Sequence, residues 1–253
     1  MQNTLPALAL FLFVACSSAP TPPPPLANEV LIFTKTAGYR HNSIPDGIAC
    51  VEALAREAGL VPRATEDAAV FNATDLEGVA AIVFLSTTGD ILDETQQVAF
   101  ETYMKAGGGY LGIHAAADTE YEWPYYANLV GAQFDSHPKI QLAKLNVIDA
   151  TSAATAFLPN PWERTDEWYN YKNLSDSLHV LLELDESSYE GGTNGDHHPA
   201  AWTHRLGAAR AFYTAGGHTK ASYQEPLFRK HLSAALRFAA GKELVETGTP
   251  ESH

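Results

Sequence analysis

Three histidines stand just beyond three separate apolar runs of this chain. His41 lies in the loop after Glu29 to Thr34, His114 directly follows Tyr110 to Ile113, and His218 follows Arg210 to Thr214 across Gly216-Gly217. An imidazole can carry a proton near neutral pH, ligate a metal or donate a hydrogen bond. A fourth loop, after Val79 to Leu85, brings Ser86, Thr87, Thr88, Gly89 and Asp90, and the first loop adds Thr34, Lys35, Gly38, Tyr39 and Arg40. In an open α/β sheet, ligands bind in the crevice at the carboxyl ends of the strands. The four loops are therefore expected on one edge, with Tyr39, Arg40, Thr87 and Asp90 among the substrate contacts. Gly112-Ile113-His114-Ala115-Ala116 has the setting of a nucleophile elbow, where a sharp turn lifts one side chain above the sheet. Serine or cysteine at that point would form an acyl-enzyme. Imidazole forms no stable one, so esterase and glutamine amidotransferase chemistry are disfavoured here.

The elements that must position these residues are legible in the hydropathy pattern. Short apolar runs alternate with helical periods from Glu29 onward, which predicts an α/β domain with a doubly wound, mostly parallel sheet of the flavodoxin-like kind. Glu29 to Thr34, Leu60 to Thr65, Val79 to Ser86, Tyr110 to Ile113 and Arg210 to Thr214 are its expected strands. Helices are expected from Pro45 to Gly59, from Asp93 (as N-cap) to Ala106, and from Pro226 to Ala239. Lys139 to Ile148, Leu178 to Leu184 and Ala200 to Thr203 read as strands of an antiparallel section inserted before the last parallel strand. His197-His198 falls in a Gly-rich loop, either a lid or an exposed segment. Cys50 sits on an apolar helical face, as a buried structural thiol would.

Six segments carry a resemblance: Gly38 to His41 with Ser43-Ile44, Gly107 to Ala116, Phe134 to Pro138, Asp166 to Tyr169, Pro199 to Trp202, and Arg210 to Thr219. In this order the chain resembles the ThuA (trehalose utilisation) family, a branch of the class I glutamine amidotransferase-like fold. The resemblance implies a role in the use of trehalose or related disaccharides, including keto-disaccharides. It also implies a site lined by His41, His114, Glu167 and His218 as candidate catalytic residues. His41, His114 and His218 with a carboxylate would form a divalent-metal set, since three nitrogens and one oxygen suit zinc. The chain has no short ligand spacing of the His-Glu-x-x-His kind, so no cofactor is read from a motif. Aromatics crowd Tyr121 to Tyr126 and Trp162 to Tyr171. Rings of this kind stack on sugar faces, so Trp168 and Tyr169 are candidate substrate contacts, although Trp168 and Trp123 could equally fill core. Trp202 reads as core.

The 253 residues suffice for one domain with a sizeable core. A formal net charge of −14 argues against nucleic acid, because nothing would neutralise a polyanion, and favours a cationic or neutral ligand. Residues 1–16 read as a signal peptide whose Phe13-Val14-Ala15-Cys16 is similar to a bacterial lipobox, with Cys16 as the lipidation site. The proline-rich residues 17–28 then read as a stiff tether, residues 29–242 as the domain, and 243–253 as a polar tail. The expected location is the cell envelope, with membrane contact through the lipid anchor only. Two functions remain open on the sequence: a sugar-active hydrolase or isomerase using histidine and carboxylate groups, and a carbohydrate-binding lipoprotein without turnover. A third, an anchored scaffold with a decayed site, fits poorly with so many polar residues kept at strand ends.

Overall fold

The computed structural model describes residues 27–242; Cys16, the rest of the leader, most of the tether and the polar tail lie outside the described residues. Strand β1 (Glu29–Phe33) leads to helix α1 (Ile44–Glu57), then β2 (Val61–Thr65), β3 (Val79–Leu85), helix α2 (Glu94–Lys105) and β4 (Gly109–Ile113). Next come α3 (Pro124–Val130), β5 (Gln133–Ser136), β6 (Gln141–Val147), β7 (Trp162–Asp166), β8 (Asn170–Lys172) and β9 (His179–Asp185). The chain closes with β10 (Pro199–Leu206), β11 (Ala209–Thr214) and α4 (Pro226–Ala239). Among the described residues no helix is long and apolar enough to cross a membrane.

Nine strands form one sheet in the order β2-β1-β3-β4-β11-β10-β9-β6-β7. The first five run parallel and the last four antiparallel. The antiparallel strands belong to the long segment between β4 and β11, where the sequence places its insertion. β5 and β8 pair separately.

Every residue of β3 is buried, which is why it reads as an uninterrupted apolar run. Alternation along that strand sends successive side chains to opposite faces. Phe84 meets Phe100 of α2 and Tyr126 of α3 at centroid distances of 5.5 and 5.4 Å. Leu85 points the other way, against α1, where a Cβ on Gly47 would touch its methyl groups. The C-terminal end of α4 lies so close to β4 that a Cβ at Gly109 would overlap the Ala239 carbonyl. Helix α2 starts on a full capping box, with the Asp93 side chain accepting from Gln96 N–H and the Gln96 side chain accepting from Asp93 N–H.

Register fixes where the loops leave the sheet. Phe33 lies opposite Phe84, Leu85 opposite Ile113, and Ile113 opposite Thr214. Four loops therefore emerge side by side at the carboxyl edge.

Candidate functional site

That edge gathers His41, His114, His218 and Glu167. One ligand-capable atom from each lies within 4.8 Å of all the others. Nε2 of His114 stands 3.1 Å from His41 Nε2, 3.1 Å from His218 Nδ1 and 3.5 Å from Glu167 Oε2. His218 Nδ1 is 2.9 Å from the same carboxylate oxygen. His41, His114 and Glu167 are buried, and His218 is half-buried at the crevice.

Each member is placed by a different local device. His114 opens a short 3-10 turn directly after β4 with φ of +53°, a left-handed conformation uncommon outside glycine and a frequent mark of functional sites. Its Nδ1 faces the Ala215 carbonyl at 2.9 Å, its own carbonyl accepts from Tyr213 Oη at 2.7 Å, and its ring packs on Tyr169 at 4.5 Å. His218 sits on the turn after β11, and that turn is held by Asp166. The Asp166 carboxylate accepts from the N–H groups of Gly217 and His218 (2.8 and 3.1 Å), from Ser222 Oγ and from Glu167 N–H. Gly217 has a φ of +120°, which a side chain would resist. Ser43, at the start of α1, donates its hydroxyl to the Gly217 carbonyl and so ties the His41 loop to the His218 turn.

Electrostatics in the cluster are strongly graded. Burial, then the charges of His114 and His218, push His41 down to about 3, so it is a neutral imidazole at physiological pH. Burial alone would raise the Glu167 carboxyl. Its hydrogen bonds and charge contacts with His114 and His218 overturn that and hold it well below the usual carboxylate range. The site thus offers one firm anion, at least one firmly neutral imidazole and a half-open face.

The other expected contacts divide. Tyr39 is 62% exposed and stands edge-on to the His41 ring at 4.9 Å, at the mouth of the cluster. Tyr169 forms the buried wall behind His114. Arg40 turns away and pairs with Glu66 at the surface, with Nη2 to Oε1 at 2.5 Å. Thr87 is buried against Thr119 Oγ1 at 2.9 Å. Asp90 is exposed beside the buried carboxyl of Glu120, which burial raises. Trp168 is fully buried, with its indole N–H donating to the Gln141 carbonyl and its ring under the Arg164 guanidinium. Neither Arg40 nor Trp168 reaches the cluster. Trp202 is core, as expected. His198 is wholly buried between Glu186 and the Tyr169 carbonyl, so it is neither a lid residue nor an exposed one. Cys50 is buried, and burial raises its thiol to about 11, which suits an inert structural cysteine.

Sequence reasoning passed over two residues that the site depends on. His137 stands 3.1 Å from Glu167 Oε1 while remaining 43% exposed, and its ring lies nearly parallel to Tyr169. Asp166 is fully buried against Arg164. Both fall inside segments that carried the family resemblance, so the motif was visible and the roles were not. A cleft of about 530 Å³ between α4 and residues 149–156, lined by Leu181, Phe212, Phe238, Lys230 and Arg237, contributes nothing to the cluster.

The family model described as trehalose utilisation matches residues 29–239. No curated protein matches the sequence. A ThuA-like protein of Bacteroides uniformis shares the fold with a TM-score of 0.72 at 21% identity, over 92% of this chain and 97% of that one. A ThuA-like protein of Parabacteroides merdae does so with 0.73 at 19%, over 88% and 93%. The fold also recurs within a larger enzyme, a cold-adapted β-galactosidase of Rahnella, with 0.55 at 14%, over 84% of this chain and 31% of that one. With 211 of its residues spanned by the family model, from 29 to 239, the chain belongs to the ThuA (trehalose utilisation) family.

Proposed function

We propose that this protein acts on a carbohydrate of the trehalose class, free or in keto form, by proton transfer at the crevice of His41, His114, His218 and Glu167. One observation carries the reading: four proton-handling side chains from four separate segments converge within 4.8 Å beneath an exposed tyrosine. Tyr39 supplies a flat apolar face for a sugar ring at the mouth. A neutral His41 can accept a hydrogen bond from a sugar hydroxyl, and the Glu167 anion steadies whichever neighbouring imidazole takes up the proton. With His114 at the elbow, the site has no serine or cysteine nucleophile there, so covalent acyl transfer is not its chemistry. We further propose export and anchoring to the cell envelope through an acylated Cys16. A Cys16→Ser variant that partitions into detergent as the parent does would end that part of the reading.

The decisive experiment incubates the purified protein with trehalose, related disaccharides and their keto forms, and follows both product and binding. Turnover that His218→Ala abolishes, with the fold retained, supports the proposal. Tyr39→Ala should weaken sugar affinity by roughly 10-fold, the order of one lost aromatic contact. Tight sugar binding without turnover would assign the protein as a carbohydrate-binding lipoprotein instead.

A further inference from the structure

The geometry points to a divalent transition-metal site of the zinc class formed by His41, His114, His218 and Glu167. The inference goes beyond the sugar reading and does not depend on it, because a cation can bind there whether or not a sugar is turned over.

A tetrahedral cation with ligand bonds of about 2.0–2.1 Å has ligand–ligand edges of about 3.3 Å. Four edges of this cluster measure 3.1, 3.1, 3.5 and 2.9 Å, and none of the six exceeds 4.8 Å. The four edges just given lie close to that spacing, so the four donors are near enough to one another to share a single ion.

A carbonyl oxygen can only accept, so the contact from His114 Nδ1 to Ala215 O places the His114 proton on Nδ1. In the neutral ring Nε2 is then a bare lone pair, and it faces the other three donors. Donation of the second ring nitrogen to a backbone carbonyl is how metal-binding histidines are oriented. His41 Nε2 lies 3.1 Å from that lone pair, so a second imidazole nitrogen is turned to the same point.

His137 engages Glu167 Oε1 at 3.1 Å, which leaves Oε2 as the oxygen turned to the cluster. Asp166 fixes the backbone on both flanks of the set, at Glu167 and at Gly217-His218. Ligation requires each imidazole to present a lone pair, and in that form three imidazoles and one carboxylate carry a single negative charge. A bound dication would leave the site with a net charge of +1, suited to holding a hydroxyl or carbonyl oxygen at the half-open His218 side. The donor set, nitrogen-rich with one oxygen, fits zinc and its first-row neighbours better than magnesium or calcium.

The test strips the full-length protein with chelator and titrates Zn²⁺ alone, with calorimetry and elemental analysis as readouts. One equivalent should bind in the parent, and Co²⁺ in its place should give the intense visible bands of a four-coordinate ion. His41→Ala and His218→Ala should each weaken binding by roughly 100-fold or more. His218 is the safer of the two for folding, being half-buried, and thermal melts check both. A crystal soaked in Zn²⁺ should show an anomalous peak bonded to the four donors. Failure of the parent to bind one equivalent, parental affinity in folded His218→Ala, or an anomalous peak elsewhere with none here would each overturn the inference. Stoichiometric zinc with no sugar activity would refute only the sugar reading.

Discussion

Two buried histidine environments lie a short way apart in this fold, and burial does not tell them apart. His231, on α4, is fully buried, and burial pushes it down to about 4. His41, in the crevice, is also buried and is pushed down to about 3, again chiefly by burial. The difference is in what the ring nitrogens face. His231 has Nδ1 2.9 Å from the Ala154 carbonyl and Nε2 3.2 Å from Thr214 Oγ1, with Phe228 stacked on its ring. Every polar valence of that neutral ring closes on a fixed protein partner. In the crevice, one nitrogen from each of three imidazoles is turned toward the others and toward one carboxylate, so those valences close only on protons or on something brought from outside. The comparison teaches that a functional histidine is recognised by the partners it lacks rather than by its burial or its shifted pKa.

The largest effect should come from the residue that holds the crevice turn. Asp166 is a buried carboxylate on Arg164 that also receives three backbone N–H groups and the Ser222 hydroxyl. Asp166→Ala leaves those donors and a buried guanidinium without it, a loss of about 3–5 kcal/mol. Denaturant unfolding should show the drop together with loss of the crevice geometry. A midpoint equal to the parent's would mean that Glu225, the second partner of Arg164, holds this corner alone.

The next test separates the two histidine classes directly. His231→Ala opens a cavity beside Phe212 and Phe228 and should cost about 2–4 kcal/mol, with ligand binding retained in the folded fraction. His218→Ala should do the reverse. Acid titration sharpens the contrast. With a folded pKa of about 4 against an unfolded value of 6.5, the unfolded chain binds more protons in that window. The share of stability tied to His231 is complete above about pH 6.5 and is lost as pH falls toward 4, at most about 3 kcal/mol. A His231→Leu variant should show a flatter acid limb. An unchanged limb would place the acid sensitivity in His41 and the crevice.

Much of this was legible in the chain because the parallel strands are buried on both faces. Glu29 to Phe33 and Val79 to Leu85 read as apolar runs, so their loop ends could be found, and with them His41, His114 and His218. What stayed hidden had physical reasons. In β7 the inward positions are Trp162, Arg164 and Asp166, two of them charged and closed on each other, so hydropathy gives no strand there. Helix α3 has only seven residues, too few for a helical period to emerge. Trp168 lies in an aromatic-rich stretch, and composition could not show that Arg164 would cover its ring. The role of His137 needed the position of Glu167 first.

A smaller effect follows from the inferred metal. An ion that binds only the folded protein stabilises it by about 2.7 kcal/mol at one hundred times its dissociation constant. Zinc should therefore raise the melting temperature of the parent and of folded His231 variants, and leave that of His218→Ala unchanged. Equal shifts in all three would mean that the ion binds outside the crevice.

The smallest effect belongs to His137, which fits neither class. It is 43% exposed, so little packing is lost on its removal, and His137→Ala should change unfolding stability by no more than about 0.5 kcal/mol. Its Nδ1 lies between the Pro138 carbonyl at 2.9 Å and Glu167 Oε1 at 3.1 Å, so its expected action is to hold that carboxylate in place. A group one step removed from a metal commonly alters affinity by about 10- to 100-fold, and a half-exposed one belongs at the lower end. His137→Ala should thus weaken zinc binding by roughly 10-fold. His137→Gln can place an amide N–H near Oε1 and should restore much of the loss, which a purely structural role would not produce. If the alanine variant binds zinc as the parent does, Asp166 and the β7 backbone position Glu167 by themselves.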